Sequence, residues 1–372
     1  MRISTIEAIP IRCDLGRTYR STRMRRRHRD VVVTRIRTDQ GSEGYCFNAV
    51  SGTSPVDVAN VILEEIAPAV IGMDLFAVEE VSKRAYRATY RYQRDLRIGS
   101  RARACVDSAQ WDAIGKAVGQ PLHRLWGGHS DPLPVIVWGG LVEEDRSLAD
   151  YGHEMERIRT FGAMGCKFKV GYLSTFSPEQ DAERIRAARQ AAGPDFLLIA
   201  DANQGWTARE AIDFGRRVED LDLLWIEEPC RWPNDRREMA HVRAVTGIPV
   251  AGGQVEVSAE SCRDMMIDGA IDVCNFDATW GGGPTIWHRV AAMAACFGVR
   301  MTQHQEAQFA GHLIASVPDA GPLELYPPEL DPPYFEMFLN RPQLKGGYCT
   351  LPEGPGWGME LDWAYVEKHR LG

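Results

Sequence analysis

From about residue 133 onward, short apolar runs recur, each ending in polar residues: LPVIVWGG, CKFKVG, FLLIADANQ, LLWIEEP, IPVAGGQ, DVCNFDAT, VRMTQHQ and PLELYPP. Between them lie segments with helical spacing, such as PEQDAERIRAARQAAG, AREAIDFGRRVED and TIWHRVAAMAACFG. Strand runs alternating with helices predict a parallel sheet, because parallel neighbours need a crossover connection. Eight such units predict a closed (β/α) barrel of the TIM type. An open, doubly wound sheet shares the alternation and is the alternative. No G-x-G-x-x-G opens the first unit, which weakens a dinucleotide-binding reading.

The first third is patterned differently. ISTIEAIPIRC reads as a strand, and DVVVTRIRTDQGSEGYCF as a hairpin with Gly41–Gly44 at its turn. Three helical stretches come next, SPVDVANVILEEIAPAVIG, LFAVEEVSKRAYRATYRY and ARACVDSAQWDAIGKAVG, the last stopped by a glycine and then Pro121. Strands followed by helices predict an α+β unit over residues 1–130. The barrel then covers 131–335. The turn-rich tail, 336–372, is expected to pack back on the first unit.

Composition narrows the function classes. The chain has 372 residues and a formal net charge of −8, which argues against bulk affinity for nucleic acid or membranes. No apolar run is long enough to span a bilayer, and MRISTIEAIP lacks the pattern of a signal peptide. The nine cysteines form no CxxC pair and read as reduced thiols of a cytoplasmic protein.

In a parallel barrel the chemistry sits at the C-terminal ends of the strands. Those ends carry Lys167 and Lys169, Asp201 and Asn203, Glu227 and Glu228, Gln254 and Glu256, Asp277, His304, and Glu324. Lys167 and Lys169 share one face of their strand. If that face is the barrel interior, mutual repulsion and desolvation lower the proton affinity of a lysine toward that of a useful base. Asp201, Glu227 and position 254 end three consecutive strands, and adjacent strands lie about 4.8 Å apart. Their oxygens can converge on one cation, and hard oxygen donors suit Mg²⁺. The alternative is separate carboxylates paired with lysines across the barrel. Asp277 and His304 end the next two strands, where an aspartate on one imidazole nitrogen leaves the other to exchange a proton with substrate.

Together these residues resemble the mandelate racemase subgroup of the enolase superfamily. The resemblance rests on SAQWDAIGKAVGQPLHRLWGG, KFK, DANQGW, WIEEP, AGGQ, the Asp277 strand, His304 and Glu324, in that order. It implies a modified (β/α)₇β barrel with an α+β N-terminal capping domain completed by the C-terminal tail, and often a homo-oligomer. It further implies Mg²⁺ held by Asp201, Glu227 and Gln254, and abstraction of the proton α to a carboxylate through an enediolate. Lys169 stands on one face of the α-carbon, and His304, backed by Asp277, on the other. Lys167 supports the carboxylate. Glu324 hydrogen-bonds a carboxylate oxygen, and donating that bond requires it to be protonated. Glu228 points the other way by strand alternation and is not a ligand. The departure is Gln254, where most members carry glutamate. Acid-sugar dehydratases of the glucarate type are similar in using an amide there, and Glu256 is the alternative ligand.

The reaction expected is dehydration of a sugar acid to a 2-keto-3-deoxy acid. Racemisation, epimerisation or cycloisomerisation of a sugar acid or its lactone is the alternative, and a non-catalytic acid-binding protein a further one. The partner is thus a small carboxylate. The arginine-rich stretch GRTYRSTRMRRRHRD (16–30) lies where the subgroup's capping loop covers the site. One or two of its arginines facing inward would suit a polyhydroxylated or second anionic group. Tyr19, Arg20, Arg23, Asn203 and Trp280 are the candidate substrate contacts, and GGG at 281–283 a candidate pocket wall.

Overall fold

The computed structural model describes residues 1–20, 25–90, 95–141, 146–172 and 175–372, without the side chains at positions 17, 19, 20, 25 and 26. The first sheet is antiparallel, in the order β1 (Ile3–Arg20), β2 (Arg25–Thr38), β3 (Glu43–Ala49). Ile6, Val32, Ile36 and Cys46 are buried on one face, and Ile11, Val31, Val33 and Phe47 on the other. The long helix Leu96–Val118 packs across the first of these, the face that carries Gly44. Gly44 lies in β3 rather than in the turn expected for it. A Cβ there would come within 2.2 Å of the Ala113 nitrogen, so only glycine lets the helix backbone approach the strand this closely.

The second sheet carries the eight runs read from the sequence. They are β4 (Leu133–Gly139), β5 (Gly165–Lys169), β6 (Leu197–Asp201), β7 (Ile226–Glu227), β8 (Val250–Gly252), β9 (Val273–Cys274), β10 (Arg300–Met301) and β11 (Leu323–Leu325). Each pairs in parallel with the next from β4 to β10, and β11 pairs with β4. Gly321 N, just before β11, donates to Met301 O at 2.8 Å, which joins β10 to β11. Helices between the strands begin with capping boxes at Ser147–Asp150, Ser177–Gln180 and Thr207–Glu210. Inside the strand ring Ile136, Ile199, Trp225, Ala251 and Val273 form a small apolar cluster, separate from the main core. It floors the polar layer above it.

The tail touches both parts of the chain. A hairpin of β12 (Gln343–Lys345) and β13 (Tyr348–Thr350) adds antiparallel to the start of β4. Beyond it Arg12 N donates to His369 O at 3.0 Å, and Leu371 N to Pro10 O at 2.9 Å. None of the nine cysteines is bridged, and all but Cys296 are buried. Among the described residues no helix is long and apolar enough to cross a membrane.

Two buried polar contacts tie the first part to the barrel. Asp107, on the long helix, accepts from Thr285 N at 2.8 Å and from Thr285 Oγ1 at 2.7 Å, at the start of the helix Pro284–Phe297. Gly283 (φ +101°) makes room, since a Cβ there would sit 2.4 Å from Asp107 Oδ2. The third glycine of the GGG run thus seats a helix cap rather than lining a pocket. Elsewhere His312 Nε2 donates to Trp357 O at 3.0 Å, while its Nδ1 accepts from His123 N at 3.2 Å and faces His123 Nδ1 at 3.1 Å.

Burial, with a smaller push from His123, lowers His312 to a pKa of about 3. Its ordinary value is near 6.5. A depressed histidine contributes stability that is complete above about pH 6.5 and is lost as pH falls toward 3. Urea melts of wild type and His312→Gln at pH 7.5 and 5 should therefore show the smaller acid-induced loss in the variant. An equal loss in both would mean that His312 already accepts a proton in the folded protein.

Candidate active site

The strand ends converge at the mouth of the ring. Asp201 lies opposite Glu227 in the β6–β7 register, and Lys169 opposite Asp201 in β5–β6. Lys167 Nζ donates to Glu227 Oε1 at 2.8 Å and lies 2.9 Å from Glu324 Oε1 and 3.5 Å from Asp201 Oδ2. Lys169 Nζ pairs with Asp201 and donates to Asn203 Oδ1 at 3.0 Å, 4.0 Å from the centre of the Trp138 ring. The charged members of this group are all buried.

This arrangement reverses two expectations. Burial alone would lower Lys167, but Glu227, Glu324 and Asp201 outweigh it and hold the ammonium well above its usual range. Each lysine faces carboxylates rather than its twin. Glu324 is likewise not the protonated donor expected. Burial pushes its carboxyl up, but Lys167, then His304, Lys167's hydrogen bond and the Trp138 indole N–H together hold it below the ordinary value. It accepts from Trp138 Nε1 and, at 3.3 Å, from Gln305 N.

His304 and Asp277 stand just past β10 and β9, where the strand ladder has ended. Asp277 Oδ2 lies 2.8 Å from His304 Nδ1. The other oxygen, Oδ1, accepts from Thr279 N and Oγ1 and from Gln303 Nε2 at 2.8, 2.7 and 3.0 Å. Asp277 is thus fully engaged and orients the imidazole, with Nδ1–H donating to it. Gln305, at φ +54°, donates its Nε2–H to His304 Nε2 at 2.8 Å. A substrate that uses Nε2 must displace that amide. The Trp280 ring meets the His304 ring edge-on at 4.9 Å.

Gln254 lies two residues past the end of β8 and is 5% exposed. Its Nε2 donates to Glu228 Oε2 at 2.9 Å, its Oε1 accepts from Asn275 Nδ2 at 3.1 Å, and its backbone N–H donates to Asn275 Oδ1 at 3.0 Å. The amide is therefore held at both ends. Glu228 is a correction. Strand alternation would turn it outward, but its φ of +39° turns it onto the same wall as Gln254. Burial, then the charges of Asp201 and Glu227, push its carboxyl up to about 8. Glu256, the alternative ligand, is directed at Ser261 instead.

Oxygen donors from Asp201, Glu227 and Gln254 thus end three neighbouring strands. Among the described residues no three His, Cys, Asp or Glu side chains are placed to hold a metal by themselves. A third oxygen must come from another residue type, and the Gln254 amide can supply it. The donor set fits a hard dication, because Asp201, Glu227, Glu228 and Glu324 outnumber Lys167 and Lys169 in a desolvated space.

A cavity of about 390 Å³ opens beside these groups, lined in part by Trp138, Asn203, Gln254, Trp280 and His304. A larger hollow of about 840 Å³ lies beyond Trp138, against the helix Leu148–Phe161, and holds none of the strand-end acids. Of the arginine-rich stretch, Arg29 does face inward, but it is engaged. Its Nη2 donates to Glu306 at 2.7 and 2.9 Å and its Nη1 to Asp331. Arg23 lies outside the described residues, as do the side chains of Tyr19 and Arg20. Gln305 and Trp138 were not legible as site residues in the sequence, and Glu228 was read there as a strand-end acid turned away. Glu228 and Gln305 enter through left-handed backbone that no residue pattern announced.

The contact between Glu228 and Gln254 explains a neutral side chain at 254. In Gln254→Glu two carboxyl groups would face each other at that contact, in place of an amide N–H and an acceptor oxygen. We expect this variant to lose stability equivalent to about 1–3 kcal/mol, the usual cost of an unmatched buried polar contact. Gln254→Glu/Glu228→Gln should recover most of it. A single variant that unfolds at the wild-type urea concentration would show that Glu228 is not held against the amide.

Comparison with known proteins places this arrangement. Residues 15–127 match the mandelate racemase/muconate lactonizing enzyme N-terminal domain, and residues 150–365 the enolase C-terminal domain-like family. A crystal structure of a mandelate racemase/muconate lactonizing enzyme from a marine actinobacterium, in complex with magnesium, is 42% identical with a TM-score of 0.91. The match covers 100% of this chain and 99% of that one. Among curated relatives, D-galactarolactone cycloisomerase from Agrobacterium fabrum is 29% identical, over 100% of this chain and 99% of its own. Arabinonate dehydratase from Saccharolobus solfataricus is 28% identical, over 92% and 91%. The chain therefore belongs to the mandelate racemase/muconate lactonizing enzyme family of the enolase superfamily.

Proposed function

We propose that the protein is a Mg²⁺-dependent dehydratase of sugar acids, converting an aldonate or aldarate to the 2-keto-3-deoxy acid. The observation that carries this reading is the placement of Lys169 and an Asp277-oriented His304 on opposite sides of one strand ring, with Asp201, Glu227 and Gln254 between them. When bound, Mg²⁺ would polarise the substrate carboxylate and stabilise the charge that develops as the α-proton leaves. Asp201, Glu227 and Gln254 would hold it.

The chain's own groups divide the remaining work. Lys169 Nζ exchanges the α-proton on one face. His304, oriented through Nδ1, works at Nε2 on the other. A proton delivered there to the β-hydroxyl lets it leave as water, and the resulting enol becomes the 2-keto acid. Lys167 and Asn203 offer donors to substrate oxygens once the carboxylates beside them are engaged. Magnesium in the marine actinobacterial structure, and the arabinonate and galactarolactone named for the two curated relatives, support this reading.

A second reading, cycloisomerisation or epimerisation, is favoured by one observation. One curated relative matched over the whole chain is a cycloisomerase. Both reactions share the first proton transfer and differ only in the fate of the intermediate. A panel of sugar mono- and diacids in D₂O with Mg²⁺ should give 2-keto acid. Deuterium exchange, inversion or ring opening without keto acid would assign the second reading.

Lys169→Ala and His304→Asn should each lower turnover by about 10²–10⁴-fold, the range for loss of a positioned acid or base. Chelation should abolish turnover and added Mg²⁺ restore it. In calorimetry Gln254→Ala should bind Mg²⁺ more weakly than wild type. Wild-type turnover in both acid–base variants would overturn the mechanism.

A further inference from the structure

Arg101 lies on the long helix Leu96–Val118, outside the strand ends that carry the chemistry, yet it lines the same cavity as His304, Trp280 and Gln254. It is only 5% exposed. One of its nitrogens, Nη2, donates to Ser51 O at 2.8 Å. Nε and Nη1 are buried and have no hydrogen-bond partner among the described residues. Nor does Arg101 make an ion pair there, whereas the equally buried Arg29 and Arg184 each hold a carboxylate. Burial lowers Arg101 to about 10. The Asp277 charge offsets this only in part, and a buried guanidinium with two unused donors and no ion pair is costly unless an anion completes it.

Its place in the cavity says which part of a substrate it meets. The guanidinium carbon lies 5.0 Å from the centre of the Trp280 ring, and that ring lies 4.9 Å from the His304 ring. Arg101 therefore stands over the indole that meets the acid–base group, on the first part of the chain rather than at a strand end. Lys167, Lys169 and the Asp201–Glu227–Gln254 oxygens serve the reacting end. The unused Nη1 N–H groups of Arg101 can donate to a carboxylate, and charge assistance makes such bonds about twice as strong as neutral ones.

We propose that Arg101 receives a second, distal carboxylate of the substrate, so that the substrate class is the dicarboxylic sugar acids, the aldarates, in preference to aldonates. The inference rests on the sugar-acid reading above and narrows it. It also moves charge selection from the arginine-rich ribbon to the long helix of the first part of the chain.

The test compares matched pairs, an aldarate and the aldonate of the same configuration, on wild type, Arg101→Met and Arg101→Lys. Wild type should prefer an aldarate, and Arg101→Met should lower the aldarate-to-aldonate ratio of kcat/KM by about 10–100-fold, the worth of lost hydrogen bonds to a charged group. The loss should fall on KM for the aldarate more than on kcat, and Arg101→Lys should restore part of it. A merely structural role would lower activity on both acids alike and leave the ratio unchanged.

A binding arm needs no turnover. In calorimetry with Mg²⁺ present, wild type should bind adipate more tightly than hexanoate, and Arg101→Met should lose that difference. If no sugar acid turns over but the adipate preference depends on Arg101, the dehydratase reading fails and the subsite stands. If aldonates or phosphorylated aldonates are the better substrates, or the Arg101→Met protein melts like wild type and keeps the diacid preference, the subsite is overturned while the dehydratase reading survives. Should Arg101→Met fail to fold, equal mono- and diacid binding by wild type alone overturns it.

Discussion

The structure depends on keeping several charges dry at the mouth of one strand ring. Asp201, Glu227, Glu228 and Glu324 stand there with Lys167 and Lys169. Isolated buried charges are expensive, and removing one partner of such a pair costs about 3–5 kcal/mol. The ring therefore constrains which residue types each strand end can carry. Neutral Gln254 is part of that constraint. A fifth carboxylate would lie against Glu228, whereas an amide gives that carboxylate a donor and still presents an oxygen.

The first part of the chain is joined to this mouth by polar contacts as well as by apolar packing. Arg29 reaches Glu306, two residues beyond His304, and Asp331, in the segment after β11. Asp107 caps the helix just beyond the Asp277 segment. The Arg29 tie ends two residues from His304, and the Asp107 tie at the start of the helix that follows Asp277. The backbone that positions His304 and Asp277 is thus braced from outside the barrel. This is the geometry that lets a loop residue hold a catalytic orientation.

That bracing allows a division of labour. The strand ends carry groups suited to proton transfer, while the wall against Ser51 and Arg101 comes from the first part of the chain. Relatives with dehydratase and cycloisomerase activities share the overall fold with this chain, as expected when chemistry and selectivity sit on different elements.

Much of this was legible in the sequence, for a simple reason. Strands in a parallel barrel are buried on both faces, so each shows as an apolar run, and the polar residue ending it marks the mouth. Eight runs and the order Lys, Asp, Glu, Gln, Asp, His, Glu could be read that way. What the sequence could not determine depends on backbone sign and on packing between distant segments. Glu228 and Gln305 enter the site through positive φ, which side-chain alternation does not anticipate. Lys167 is held charged by three carboxylates from three other strands, so the same KFK that suggested mutual repulsion gives the opposite result. Arg101 sits within an ordinary helical pattern, and only the docking of that helix over the strand ends makes it face the cavity. The sequence by itself determined which strand ends carry the polar residues, because burial dictates periodicity. Only the tertiary structure decided which charges meet there, because a Coulomb interaction depends on distance in space and not along the chain.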